Sequence, residues 1–181
     1  MRQTLAVLLS ATVIVGLYQP AHATDPTALD ILTLRLYLSP SEVLQLLRAQ
    51  GINEAKMWIT PPACPATAPD ACTNAIAAFI RDGRILVQFT DAPGAGGRRV
   101  VYRIAYTIIA RGPTDTALVR GDAIDHYGPP SSISTTAWCA ELDAATATCP
   151  ADRPALRLAP TPGAAALMTL SDDGLTAQVR R

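Results

Sequence analysis

Four cysteines stand in two close pairs, Cys64 with Cys72 and Cys139 with Cys149. They constrain the fold more than any other feature, because each near pair can close a short loop rich in Pro, Ala and Thr. Four cysteines allow three pairings, of which Cys64–Cys72 with Cys139–Cys149 is the simplest. The zinc alternative is weaker, because C-x7-C and C-x9-C are not zinc-ribbon spacings and no histidine stands nearby in sequence. Disulfides of this kind belong to an oxidising compartment.

The N-terminus agrees with that compartment. In MRQTLAVLLSATVIVGLYQPAHATD, Arg2 precedes an apolar run from Leu5 to Leu17, and Ala21 and Ala23 form an A-x-A site. This pattern reads as a secretory signal peptide over 1–23, cleaved before Thr24. The run is shorter than the roughly 20 residues of a spanning helix. No cysteine follows the cleavage site to carry a lipid. The expectation is a soluble periplasmic or secreted protein with no membrane span. Without Arg2 the chain carries 14 basic and 15 acidic side chains. That balance gives no electrostatic footprint for nucleic acid or an anionic membrane.

One helix is strongly punctuated. In LSPSEVLQLLRAQGI (38–52), Ser39 suits the N-cap, Pro40 the first helical position and Glu42 the reciprocal arm of a capping box. Gly51 suits a left-handed C′ position, with Ile52 reaching back to Leu47. The spacing predicts a helix over about 40–50. Strands are expected at KMWIT (56–60), AIAAFI (75–80), ILVQFTD (85–91) and RRVVYRIAYTIIA (98–110), with Asp82-Gly83 as a hairpin turn. A second helix is expected between Thr114 and Gly128, weakened by Gly121. A short strand with Trp138 follows. A meander of ALRLA (155–159), AALMTLS (165–171) and GLTAQVR (174–180) completes the chain.

Each half therefore reads helix, short Trp-bearing strand, Cys-bracketed loop, three-stranded meander. The expected class is α+β: two tandem helix-plus-antiparallel-meander repeats, 24–110 and 111–181, forming a largely antiparallel sheet with the helices on one face. This order resembles β-lactamase inhibitory proteins and the SmpA/OmlA (BamE-like) superfamily of exported bacterial proteins. Leu36-Tyr37-Leu38-Ser39-Pro40-Ser41-Glu42-Val43 resembles the L-G-M-[ST]-x-x-E-[VA] opening of their helices, with Tyr37 where Gly is usual. Tyr127-Gly128-Pro129-Pro130-Ser131 resembles the Y-G-x-P-S that closes the second helix in many members. The resemblance implies the fold and an exported, protein-binding or inhibitor-like module. It transfers no inhibitory residue.

Catalytic patterns are sparse. His126 stands near Asp122, Asp125, Ser131 and Ser132, but no nucleophile elbow accompanies it, and a histidine in the last turn of a helix is explained by the helix dipole. PGAGGRR lies between strands and opens no helix, so it reads as a hairpin loop. SDDG (171–174) lacks the oxygen ligands of a calcium loop and reads as a turn. No cofactor or metal is implied. Strand alternation gathers Trp58, Gln88, Arg103, Thr107, Trp138, Arg157 and Gln178 on the wetter sheet face, a set enriched in the residue types of binding hot spots. The expected function is a non-catalytic, protein-binding module of the bacterial envelope. An envelope assembly factor, or a hydrolase using Asp and Ser, are the rival classes.

Overall fold

The computed structural model describes residues 29–61, 64, 67–91, 98–110, 112 and 115–179, with 177–179 described by backbone alone. The leader expected over 1–23, most of the loop PGAGGRR, the Thr114 cap and the side chain of Gln178 lie outside the described residues. Helix α1 (Pro40–Ala49) forms as its punctuation dictates. The Ser39 N–H donates to Glu42 Oε2 at 2.7 Å, and the Glu42 N–H donates to Ser39 Oγ at 3.4 Å. The backbone and hydroxyl donors of Ser39 hold the Glu42 carboxyl below the usual carboxylate range. At the far end Gly51 sits at φ 77°. Its N–H reaches Arg48 O at 2.9 Å and that of Ile52 reaches Leu47 O at 3.1 Å, the paired bonds of a Schellman ending.

Seven strands form one antiparallel sheet. They are β1 (Met57–Thr60), β2 (Ala75–Ile80), β3 (Gly83–Phe89), β4 (Val101–Ile108), β5 (Ala137–Cys139), β6 (Ala155–Ala159) and β7 (Ala166–Ser171), in the order β1-β2-β3-β4-β7-β6-β5. Helices α2 (Pro69–Cys72), α3 (Asp115–Tyr127) and α4 (Asp173–Val179), with a 3-10 turn at Glu54–Lys56, complete the described elements, so the chain is α+β. Each half runs as a meander, the halves meet where β4 pairs with β7, and β1 and β5 are the edges. The disulfides are Cys64–Cys72 and Cys139–Cys149, with Cα separations of 5.7 and 5.8 Å.

Register sorts the side chains into two faces. One row crosses the whole sheet: Ile59, Ile76, Val87, Ile104, Leu170, Leu156 and Trp138 stand opposite one another strand by strand. All but Ile59 are fully buried, and Val43, Leu44 and Leu47 of α1 and Ala123 of α3 join the same cluster. The core therefore lies between this face and the helices α1 and α3.

Three local expectations are corrected. The hairpin turn is Arg81-Asp82, and Gly83 begins β3. A Cβ on Gly83 would fall 2.0 Å from Thr107 O, so close backbone approach is what requires glycine there. Residues 174–179, expected within a third meander strand, belong instead to α4. Asp172 Oδ1 accepts the Gly174 N–H at 3.1 Å and starts the helix. A short alternating run with apolar residues at 175 and 179 satisfies helix and strand spacing equally. Two strands and a helix thus follow the second disulfide loop, where three strands follow the first. Lastly, Trp138 is on the core face, not the wetter one. Thr136, whose side it was expected to share, has φ 44° and lies outside the strand, so alternation does not carry across it.

Two tyrosines tie the segment 29–38 to the rest. Tyr37 Oη donates to Asp172 Oδ2 at 2.8 Å, and Tyr127 Oη donates to Asp30 O at 2.6 Å. Burial, then the charge of Asp30, pushes the Tyr127 phenol up to about 12. Burial and then Asp172 push Tyr37 to about 12, although its side chain is partly exposed and solvent screens its share. Raised folded-state values mean that this stability is complete below the ordinary phenol value of 10.0 and is lost as pH rises from there towards 12. Urea unfolding should therefore show stability falling across that window, with a flatter fall in Tyr127→Phe.

Trp138→Ala should cost about 3–5 kcal/mol in the same assay. Trp58→Ala should cost about 1 kcal/mol or less. Equal costs would show that the row across the sheet is wrongly placed.

Candidate functional site: the uncovered sheet face

The second face of the sheet is polar and aromatic in its first half. Across β1 to β4 the paired positions carry Trp58, Ala77, Leu86 and Ala105 in one row, and Thr60, Ala75, Gln88 and Arg103 in the next. Phe79, Arg84 and Thr107 form a third. Trp58 is 53% exposed and Phe79 49%. Their rings meet edge to face at 5.2 Å, a diagonal pairing the pleat allows between β1 and β2. Arg84 and Arg103 are exposed, while Leu86, Gln88 and Thr107 are half-buried. No carboxylate occupies any of these paired positions.

The other half of the face is covered at one end, while Ala159 at its far end is exposed. Ala137, Cys139, Cys149 and Ala155 form a small buried cluster, so the Cys139–Cys149 loop lies over β5 and β6. Arg157 is half-buried beside it and donates to Pro150 O at 3.0 Å and Cys149 O at 3.3 Å. Of the residues expected on this face, Trp58, Gln88, Arg103 and Thr107 are together on the uncovered half. Arg157 is on the same face but is committed to holding the second loop. Trp138 is 0% exposed on the opposite face. Its Nε1 donates to Gly128 O at 2.8 Å, and its ring packs at 5.7 Å from that of Tyr127. The Gln178 side chain lies outside the described residues. Phe79, Arg84 and Leu86 belong to the face and were not among the expected residues. The register set by the RDGR turn was the signal that could have found them.

A cleft of about 500 Å³ opens on the core side, between α3 and the sheet. Tyr106, Ile108, Val119, Ala123 and Met168 line it, with Asp30, Asp82, Asp122 and His126 also at its walls. His126 Nε2 stands 3.8 Å from Asp30 Oδ1, and its ring meets the Tyr127 ring edge-on at 4.5 Å. Ser131 Oγ donates to Cys139 O at 2.9 Å and accepts the Cys139 N–H at 3.2 Å, while Ser132 Oγ accepts from Thr135 Oγ1 at 2.9 Å. These hydroxyls close the loop before β5, and no described hydrogen bond joins them to His126.

No family model, curated protein or solved structure matches the chain. The uncovered half-face is the candidate site, because it combines two exposed aromatic rings with two exposed guanidinium groups on a rigid sheet. In urea titrations Trp58→Ala and Arg103→Ala should each shift stability by about 1 kcal/mol or less, since exposed sites rarely contribute more. A larger loss would mark them as fold residues.

Proposed function

We propose that the chain is an exported, non-catalytic module that binds another protein through the uncovered half of its sheet. The observation that carries this reading is the exposed Trp58–Phe79 pair beside Arg84 and Arg103. Trp and Arg dominate binding hot spots, Trp because its rigid ring covers much area and Arg because its planar guanidinium offers directed donors. Rings of this size left half in water cost the isolated chain the free energy a partner would recover. Export is supported by the leader pattern at 1–23 and by the two disulfides. We read the halves as diverged copies of one helix-plus-meander unit, meeting at β4 and β7, in the manner of the β-lactamase inhibitory and BamE-like proteins. That reading is supported by the shared order of helix, Trp-bearing strand and disulfide loop.

Capture from periplasmic extract by the mature chain, followed by binding measurements on the recovered protein, tests the site. Trp58→Ala should weaken binding by on the order of 2 kcal/mol. Arg103→Ala should weaken it too, with unfolding midpoints preserved. Normal binding by both variants would remove the face from consideration. Mass spectrometry of the exported chain should find Thr24 as its first residue, and a Met1 start in a membrane fraction would contradict export by cleavage.

A further inference from the structure

A ligand-sized space lies on the side of the sheet away from Trp58 and Phe79. The cleft beneath α3 encloses about 500 Å³. Small-molecule sites run from roughly 300 to 1,000 Å³ and are mostly apolar, with a few placed polar groups. Tyr106 and Ile108 of β4 and Met168 of β7 form the floor, and Val119 and Ala123 of α3 form the roof. Segment 30–33 and the turn at Asp82 complete the walls. The roof is held off the floor at both ends. Thr116 Oγ1 donates to Ala165 O at 2.8 Å, and Tyr127 Oη donates to Asp30 O at 2.6 Å. A hollow walled by four parts of the chain suits a compact body more than an extended one.

The carboxylates at these walls identify the occupant. Asp30, Asp82 and Asp122 reach the cleft, and no lysine or arginine lines it among the described residues. Lys56 and Arg81 line an adjoining hollow instead. Asp30 is the innermost anchor, with a side chain 23% exposed. Its Oδ2 accepts the Thr33 N–H at 2.9 Å. Its Oδ1 takes no hydrogen bond among the described residues, and His126 Nε2 stands 3.8 Å away, beyond hydrogen-bond reach. Asp122, one turn before His126 on α3, has no hydrogen bond or ion pair among the described residues. A carboxylate oxygen so placed can accept from a charged donor carried in on a ligand. We infer that the cleft binds a small amine with an apolar body. The body lies on Tyr106, Ile108 and Met168 beneath Val119, and the ammonium group donates to Asp30 Oδ1 and faces Asp122. Burial of the body gives affinity, and the carboxylates set the sign. The inference is independent of the face-binding reading, because the cleft and the uncovered face lie on opposite sides of the sheet.

Titration of the mature chain with phenylbutylamine, phenylbutanol and phenylbutyrate tests it, by calorimetry and by NMR. The three share one apolar body and differ in charge. The amine should bind at least about tenfold more tightly than the alcohol, the worth of one charged hydrogen bond, and the carboxylate should bind most weakly. Amide shifts should gather at 30–33, 106–108 and 119–126 and spare Trp58. The isosteric pair D30N/D122N should bring the amine down to the affinity of the alcohol while leaving the alcohol unchanged. V119F, which fills the hollow from its roof, should weaken both. Equal binding of amine and alcohol, or amine binding untouched by D30N/D122N, would overturn the charge assignment. Shifts at Trp58 and Phe79 in place of the cleft, or normal binding by V119F, would overturn the location. Binding by none of the three would overturn the inference outright, and uptake of a Lys-bearing peptide in their stead would give the cleft to a protein segment.

Discussion

The fold depends on one unbroken apolar row. Ile59, Ile76, Val87, Ile104, Leu170, Leu156 and Trp138 come from seven strands and lie side by side across the sheet. A one-residue slip of any strand would send its member to the polar face, so burial of the row fixes every register at once. It also fixes where the helices go. Val43, Leu44 and Leu47 of α1 and Ala123 of α3 share its cluster. The indole of Trp138 ends the row beneath α3 without stranding its N–H. The left-handed Gly128, at φ 79°, ends α3 with its carbonyl aimed at that donor. A buried indole needs such a partner.

What was legible in the sequence is what depends on neighbours along the chain. The capping box of α1, its glycine ending, the bounds of β2 and β6 and the two short-loop disulfides follow from residues within about ten positions of one another. Trp58, Gln88, Arg103 and Thr107 lie on the face that alternation predicts because their strands run for four residues or more. Trp138 does not, because β5 is only Ala137–Cys139 and the left-handed Thr136 cuts its phase from what precedes. Helix α4 was missed for a different reason. Its start is set by Asp172, whose carboxylate is held on one side by Gly174 and on the other by Tyr37, 135 residues away. The coverage of Arg157 is likewise invisible until the second disulfide loop is laid over β6.

Helix α3 illustrates a balance the sequence hints at but does not settle. Its face is weakly apolar, with Gly121 at its middle and Ala123 its one fully buried residue. It is held at its ends instead, by Thr116 Oγ1 donating to Ala165 O at 2.8 Å and by the Tyr127 hydroxyl on Asp30 O. A helix anchored at two ends, with only Gly121 and Ala123 at its middle, leaves space beneath it, and the cleft over Tyr106 and Met168 is that space. Larger residues at 119 or 123 would fill the space from the helix side.

The same economy decides which edge of the sheet stays open. Both halves place a disulfide loop after a Trp-bearing edge strand, but the loops go to different places. The Cys139–Cys149 loop folds over its own strands and buries Ala137 and Ala155. The Cys64–Cys72 loop carries α2 to the start of α1, where Asp70 accepts from the Ser41 N–H at 2.7 Å and from Ser41 Oγ at 3.0 Å. Arg99 donates to Ala71 O at 3.2 Å and adds a tie to the start of β4. Asp70 is thus spent on the N-terminus of α1, where a carboxylate is favoured by the unsatisfied N–H groups. One loop protects its sheet end, and the other protects a helix end. Trp58 and Phe79 are left exposed, and α2, the described helix of the first loop, is committed to the start of α1.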